Sequence, residues 1–209
     1  MKDLKHLYEF EKLLQDANNE LVQKAKEDGG IALGYTCYHI PEVLLNCGNC
    51  FSVRLRAPRT GSMDIATYYM SNFLCGYSKA ILERAIEGGY NFLNALLSSE
   101  TCSEMNRTAE HFELLNLVPN DKFFVTFLDA PFKIEEHTIK HYVHQTKVKI
   151  LDMLNSVYGV DTSDEALLKA VEEHNEVCRL MTEIGDYRKE ENPRITGYEY
   201  HILNLVTYW

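Results

Sequence analysis

The chain of 209 residues is 45% hydrophobic and 25% charged, which is ordinary globular composition. Its net charge is −10 and no cluster of Lys or Arg stands out, so a nucleic-acid backbone is excluded as an expected partner. No apolar run approaches the roughly 18 residues of a membrane span, and the N-terminus has no apolar signal region, so a cytoplasmic protein is expected. In that setting the six cysteines are read as thiols or metal ligands rather than a disulfide framework.

In chain order, residues 3–28 carry Leu4, Leu7, Leu14, Leu21 and Ala25 at helical spacing, and Gly29-Gly30 stops the pattern. Residues 31–37 (IALGYTC) predict a short buried strand. Pro41 and Glu42 open a helical turn through Val43, Leu44 and Leu45, and Gly48 is placed to end it. A second strand is expected at 50–55 (CFSVRL), a loop at 56–62, and a short aromatic-rich segment at 64–73. Ser78 is expected to cap a helix carrying Ile81, Leu82, Ala85 and Ile86, closed by Gly88-Gly89. Residues 92–99 predict a third strand, a helix begins near Ser103, and residues 122–128 (KFFVTFL) predict a fourth strand ending in Asp129-Ala130-Pro131. Two long amphipathic helices are expected near 135–157 and 163–187, and a last helix near 197–207. In the second of these, Leu167, Val171, His174, Cys178 and Met181 share one face, which places Cys178 in the core.

Strands alternating with helices predict an α/β fold: a Rossmann-like parallel four-stranded sheet with flanking helices and a C-terminal helical segment. The expected divisions are an N-terminal helix at 1–29, the α/β domain at 30–132 and the helical segment at 133–209. There is no internal repeat or low-complexity stretch.

Ligands of open parallel sheets bind outside the carboxyl ends of the strands. Cys37 is predicted at that edge after the first strand, Cys102 after the third strand at a helix start, and Cys75 shortly before a helix. A helix start favours an anion such as a thiolate or an anionic iron–sulfur cluster, and the alternative for Cys75 and Cys102 is two buried free thiols. Cys37 is a third ligand or a packed thiol. Cys47 and Cys50 form the most metal-like string, NCGNC, but fall at the amino end of the second strand, about 20 Å from the other edge. No second Cys/His pair accompanies them, and a structural role is expected. Tyr38 and His39 follow the first strand as possible substrate or proton-transfer contacts, or as plain edge-loop structure. His137, His141 and His144 share a helix face without the Glu of an HExxH site, and a packed or solvated face is expected.

Residues 34–58, GYTCYHIPEVLLNCGNCFSVRLRAP, resemble the opening of the 2-hydroxyacyl-CoA dehydratase / benzoyl-CoA reductase family (D-component). The ordered set that follows extends the likeness: Cys75, Gly88 to Phe92, Cys102 with Arg107, Asp129-Ala130-Pro131, Asn175-Glu176, and Ile195 to Glu199. The resemblance covers about residues 30–209. It implies a component binding a [4Fe-4S] cluster through three cysteines, with Cys75 and Cys102 matching the first two and the third supplied by a second α/β domain expected outside this chain. It also implies an ATP-dependent activator protein, a CoA-thioester substrate, a second dehydratase subunit or C-terminal half, and an anaerobic, cytoplasmic setting. In the dehydratases, one electron converts the thioester carbonyl to a ketyl radical anion, allowing loss of the 2-hydroxyl; the electron carrier does the chemistry and the protein positions it. The expectation is therefore the N-terminal half of a dehydratase-like component. The alternatives are a benzoyl-CoA reductase-like subunit, or a cluster-free interaction domain. With no Gly-x-Gly-x-x-Gly and no Walker A loop, the chain is not expected to bind the activator's ATP.

Overall fold

The computed structural model describes residues 5–58 and 60–207. Residues 3 and 4 of the expected N-terminal helix and Arg59 of the expected loop lie outside the described residues.

Among the described residues, four strands form one parallel sheet in the order β2-β1-β3-β4: β1 (Ile31–Tyr35), β2 (Cys50–Arg54), β3 (Ala95–Ser99) and β4 (Phe124–Leu128). The expected α/β architecture is thus present. Burial runs almost unbroken along β1 and β3 because both faces of the sheet are covered. On one face, Leu33, Tyr35, Ala95 and Leu97 pack with Leu45, Ile150, Leu154 and Ala170. On the other, Ala32 and Leu96 pack with Ile81, Ala85, Ala109 and Phe112. Each fully buried Leu of this kind contributes about 1.5–3 kcal/mol of transfer free energy.

The helices are α1 (Lys5–Leu13), α2 (Glu20–Glu27), α3 (Asp64–Tyr69), α4 (Gly76–Ile86), α5 (Ser103–Leu114), α6 (Glu136–Thr146), α7 (Asp152–Tyr158), α8 (Asp164–Asp186) and α9 (Gly197–Thr207). A 3-10 turn covers Glu42–Asn46, and a π segment, Lys147–Leu151, joins α6 to α7. The expected helix over 3–28 is two helices. Asp16 Oδ1 accepts the N–H of Asn18, and Asn19 Oδ1 accepts those of Leu21 and Val22, so short polar side chains capture the backbone donors and restart the helix at Glu20. After the 3-10 turn Gly48 adopts φ +60°, where a Cβ would stand 3.0 Å from the Asp161 carbonyl oxygen.

Two local expectations are corrected. Ser78 lies inside the first turn of α4, and Cys75 holds the N-cap position; Ser78 Oγ donates back to the Cys75 carbonyl at 3.3 Å. Cys178 is exposed, not core. The packed stripe of α8 ends at Leu167 and Ala170, which meet the core; beyond them the helix leaves the sheet and packs partly on α9.

The amino edge of the sheet is tied at Asn94, just before β3. Its Oδ1 accepts from Lys26 Nζ at 2.6 Å and from the Ala32 N–H at 3.0 Å, while its carbonyl accepts from the Tyr158 hydroxyl at 2.9 Å. Burial pushes the Lys26 ammonium below its ordinary pKa.

Candidate functional site at the carboxyl edge

In this strand order the chain leaves β1 across one face and β3 across the other, so the switch point lies between their carboxyl ends. Cys102 is the N-cap of α5, directly after β3, and Cys75 is the N-cap of α4, the helix packed beside it. Both thiols are exposed, so the alternative of two buried thiols is not what the structure has. The backbone N–H groups of Ser78 and then Tyr77, free at the start of α4, hold the Cys75 thiol below its ordinary pKa against partial burial and the nearby Glu104 charge. Cys102 Sγ donates to Glu104 Oε2 at 3.3 Å. Glu104 is therefore a neighbour common to both cysteines, and its own carboxyl is lowered first by its backbone N–H and then by Cys102.

Beneath these helix starts lie polar atoms without protein partners. Among the described residues, Thr36 Oγ1, Ser98 Oγ and Asn106 Oδ1 are buried and accept or donate no hydrogen bond. The last register pair between β1 and β3 is Tyr35 with Leu97, so Thr36 and Ser98 are the next residues along the two strands. Asn106 lies one turn beyond Cys102, its N–H donating to the Cys102 carbonyl at 2.9 Å. Buried polar groups are rarely left unpaired, so such a cluster marks where a bound group completes the hydrogen bonding.

Cys37 is half-buried just past β1, close enough for its charge to act on Tyr77. The Tyr77 hydroxyl donates to the Leu55 carbonyl at 2.7 Å, and burial pushes its pKa up. Tyr38 is 80% exposed, its ring 4.5 Å from that of His39. Both line a cleft of about 320 Å³ with Pro131, Ile134 and Tyr142, whose hydroxyl donates to the His39 carbonyl. Tyr38 and His39 thus stand on the β4 and α6 side of the edge. At the end of β2, Arg56 donates to the Leu205 carbonyl at 3.1 Å; burial and then the adjacent Arg54 lower its pKa to about 10. Two guanidiniums therefore lie close together here in a chain of net charge −10.

Cys47 and Cys50 lie apart from this set, buried at the amino end of β2. The Cys50 thiol bonds the Cys47 sulfur, which lowers Cys47 and raises Cys50. His137 and His141 face Glu135 and Asp129 at 3.5 and 3.6 Å. Among the described residues, no three His, Cys, Asp or Glu side chains are grouped to hold a metal ion. A [4Fe-4S] cluster takes thiolate donors, and Cys75 and Cys102, exposed at adjacent helix starts, are two such donors. Sequence reasoning missed Glu104, Thr36, Ser98 and Asn106. Only Glu104 had a local signal, an acid two residues past a helix-start cysteine.

The sequence is similar to those of known proteins. The (R)-phenyllactyl-CoA dehydratase beta subunit of Clostridium sporogenes is 22% identical over 181 residues, covering 87% of this chain and 47% of its own. The (R)-2-hydroxyglutaryl-CoA dehydratase subunit beta of Acidaminococcus fermentans is 22% identical over 185 residues, covering 85% of this chain and 48% of its own. The chain spans about half the length of the curated relatives it matches. The family model for the 2-hydroxyglutaryl-CoA dehydratase D-component matches residues 37–209, from the β1 exit through α9, and the chain belongs to that family.

Proposed function

We propose that this chain forms the N-terminal part of a 2-hydroxyacyl-CoA dehydratase-like component working in the cytoplasm, and that Cys75 and Cys102 are two of the thiolates that hold a [4Fe-4S] cluster. The observation that carries the reading is their shared placement: two exposed N-cap thiols on adjacent helices at the carboxyl edge, inside the family match. When bound, such a cluster supplies the electron that makes loss of the 2-hydroxyl from a CoA thioester feasible. The chain's own contribution is positional. The start of α4 favours the Cys75 thiolate, and Thr36, Ser98 and Asn106 offer hydrogen bonds to a bound group. Arg54 and Arg56 supply positive charge near the edge, suited to an anionic substrate.

The remaining ligand and the other wall of the site come from a second domain or subunit, and an ATP-dependent activator delivers the electron. Support for such a covering partner is the apolar surface on the connections leaving the carboxyl ends. Phe132 is 100% and Phe73 99% exposed, with Tyr38 and Ile134 also in solvent.

The test is anaerobic reconstitution of the chain with its partner half or subunit, followed by iron and sulfide analysis and assay of 2-hydroxyacyl-CoA dehydration with the activator. C75A and C102A should each lose most of the bound iron and the activity, and the C47A/C50A double variant should keep both. Iron retained in C75A/C102A, or lost only in C47A/C50A, overturns the assignment.

A further inference from the structure

A second chemical constellation lies between α8 and the 3-10 turn. Cys178 Sγ is 3.4 Å from His174 Nε2, one turn earlier on α8. The opposite ring nitrogen, Nδ1, is 3.3 Å from Glu42 Oε2, which comes from the 3-10 turn 132 residues away in sequence. His and Cys four apart on a helix would mean little alone. The third group makes the difference, because Glu42 is itself fixed. Its Oε1 accepts from Asn46 Nδ2 at 2.8 Å and from Ser52 Oγ at 3.0 Å, which leaves Oε2 for the imidazole. A carboxylate at Nδ1 holds the proton there and turns the Nε2 lone pair toward the thiol. The order is thiol, imidazole, oriented carboxylate, the arrangement of an activated nucleophile.

The thiol opens on a cleft of about 550 Å³ that Phe51, Ala170, Val177 and Met181 line with apolar surface. Its titratable groups are Glu42 from the 3-10 turn, Cys50 from β2, and Glu173, His174 and Cys178 from α8; α9 contributes Asn204 and Thr207. From the neighbouring cleft, Arg54 of β2 and Tyr38 also face Glu42 and His174. Apolar walls suit an acyl chain, and the two carboxylates beside the thiol disfavour an anionic carrier.

We propose that Cys178, served by His174 and Glu42, is a covalent acceptor for small acyl groups presented as uncharged thioesters. His174 Nε2 takes the Sγ proton and the thiolate attacks the carbonyl carbon. A new C–S bond forms to Cys178 and the C–S bond to the carrier breaks. The departing thiolate recovers the proton from the imidazolium, so one thioester replaces another with no oxidant, reductant or further reactant. This inference is independent of the cluster assignment.

The test treats the chain with S-butyryl-N-acetylcysteamine and locates the adduct by peptide mass spectrometry. Wild type should gain a butyryl group at Cys178 faster than at the exposed Cys75 and Cys102. At pH 7, H174Q should react about 100-fold more slowly, as expected for loss of a positioned base, and E42Q should fall between. H174Q should approach the wild-type rate as pH rises, because hydroxide then removes the thiol proton; a purely structural role would lower the rate equally at every pH. Circular dichroism of each variant separates loss of fold from loss of the base. A wild-type rate in H174Q, a loss independent of pH in the folded variant, or butyrylation confined to Cys75 and Cys102 overturns the proposal.

Discussion

At the scale of single residues, the environment of each cysteine separates six identical side chains. Cys75 is exposed and its thiolate is favoured by the start of α4. Its folded pKa therefore lies below the ordinary thiol value of about 8.5. Alkylation of Cys75 by iodoacetamide should accordingly show a midpoint below that value, and the midpoint should return to it when the chain is unfolded in urea. The linkage has a matching sign: a depressed pKa stabilises the fold above the unfolded thiol's pKa, and that increment disappears as pH falls through the folded value. A Cys75 midpoint equal in the folded and unfolded chain would rule out the effect. Cys47 and Cys50 are buried, and their mutual hydrogen bond is a packing feature of the strand start. The placement of Cys75 and Cys102 at helix starts followed from strand-helix alternation. The Glu42–His174–Cys178 line did not, because His174 and Cys178 were legible only as a helix stripe and nothing local in sequence points to a carboxylate on the turn between β1 and β2.

At the scale of elements, most of the plan was readable and the exceptions share a cause. Each of the four strands falls within its expected segment, because short apolar runs bounded by Gly, Asn and Pro leave few alternatives. The N-terminal break was missed because apolar spacing continues across it; the signal was in Asp16, Asn18 and Asn19, whose side chains compete for backbone N–H groups. Ala in place of Asn19 should cost about 1 kcal/mol, the ordinary value of an N-cap, read as a lower urea midpoint at unchanged slope. A loss within 0.3 kcal/mol would mean that the cap is replaceable by solvent. Cys178 was misplaced for the converse reason. A periodic stripe records which face of a helix is apolar, not how far along that face a partner extends, and on α8 the core ends at Ala170.

At the scale of the whole molecule, the amino and carboxyl edges of the sheet differ. The amino edge is closed by polar ties, while the carboxyl edge carries exposed thiols, orphaned hydroxyls and bare aromatic rings. Those rings should drive self-association of the isolated chain. Replacing Phe73, Phe132 and Ile134 together by Ser should shift sedimentation toward monomer with the circular dichroism spectrum unchanged, and should weaken binding to the partner half. Undiminished partner binding in that variant would exclude this edge as the interface. The parallel sheet followed from the alternation of elements, but the exposure of one edge did not, since Phe132 and Ile134 have the same apolar character as residues of the core.

The tie at Asn94 carries a consequence for synthesis. The ribosome delivers Lys26 first, Asn94 next and Tyr158 last, and the three meet at one side chain and its carbonyl. The sheet's lower rim therefore remains open while β1 to β4 emerge, and it closes only when α7 leaves the exit tunnel. Nascent chains halted before Tyr158 should be cut by protease at the rim, and chains halted well beyond it should resist.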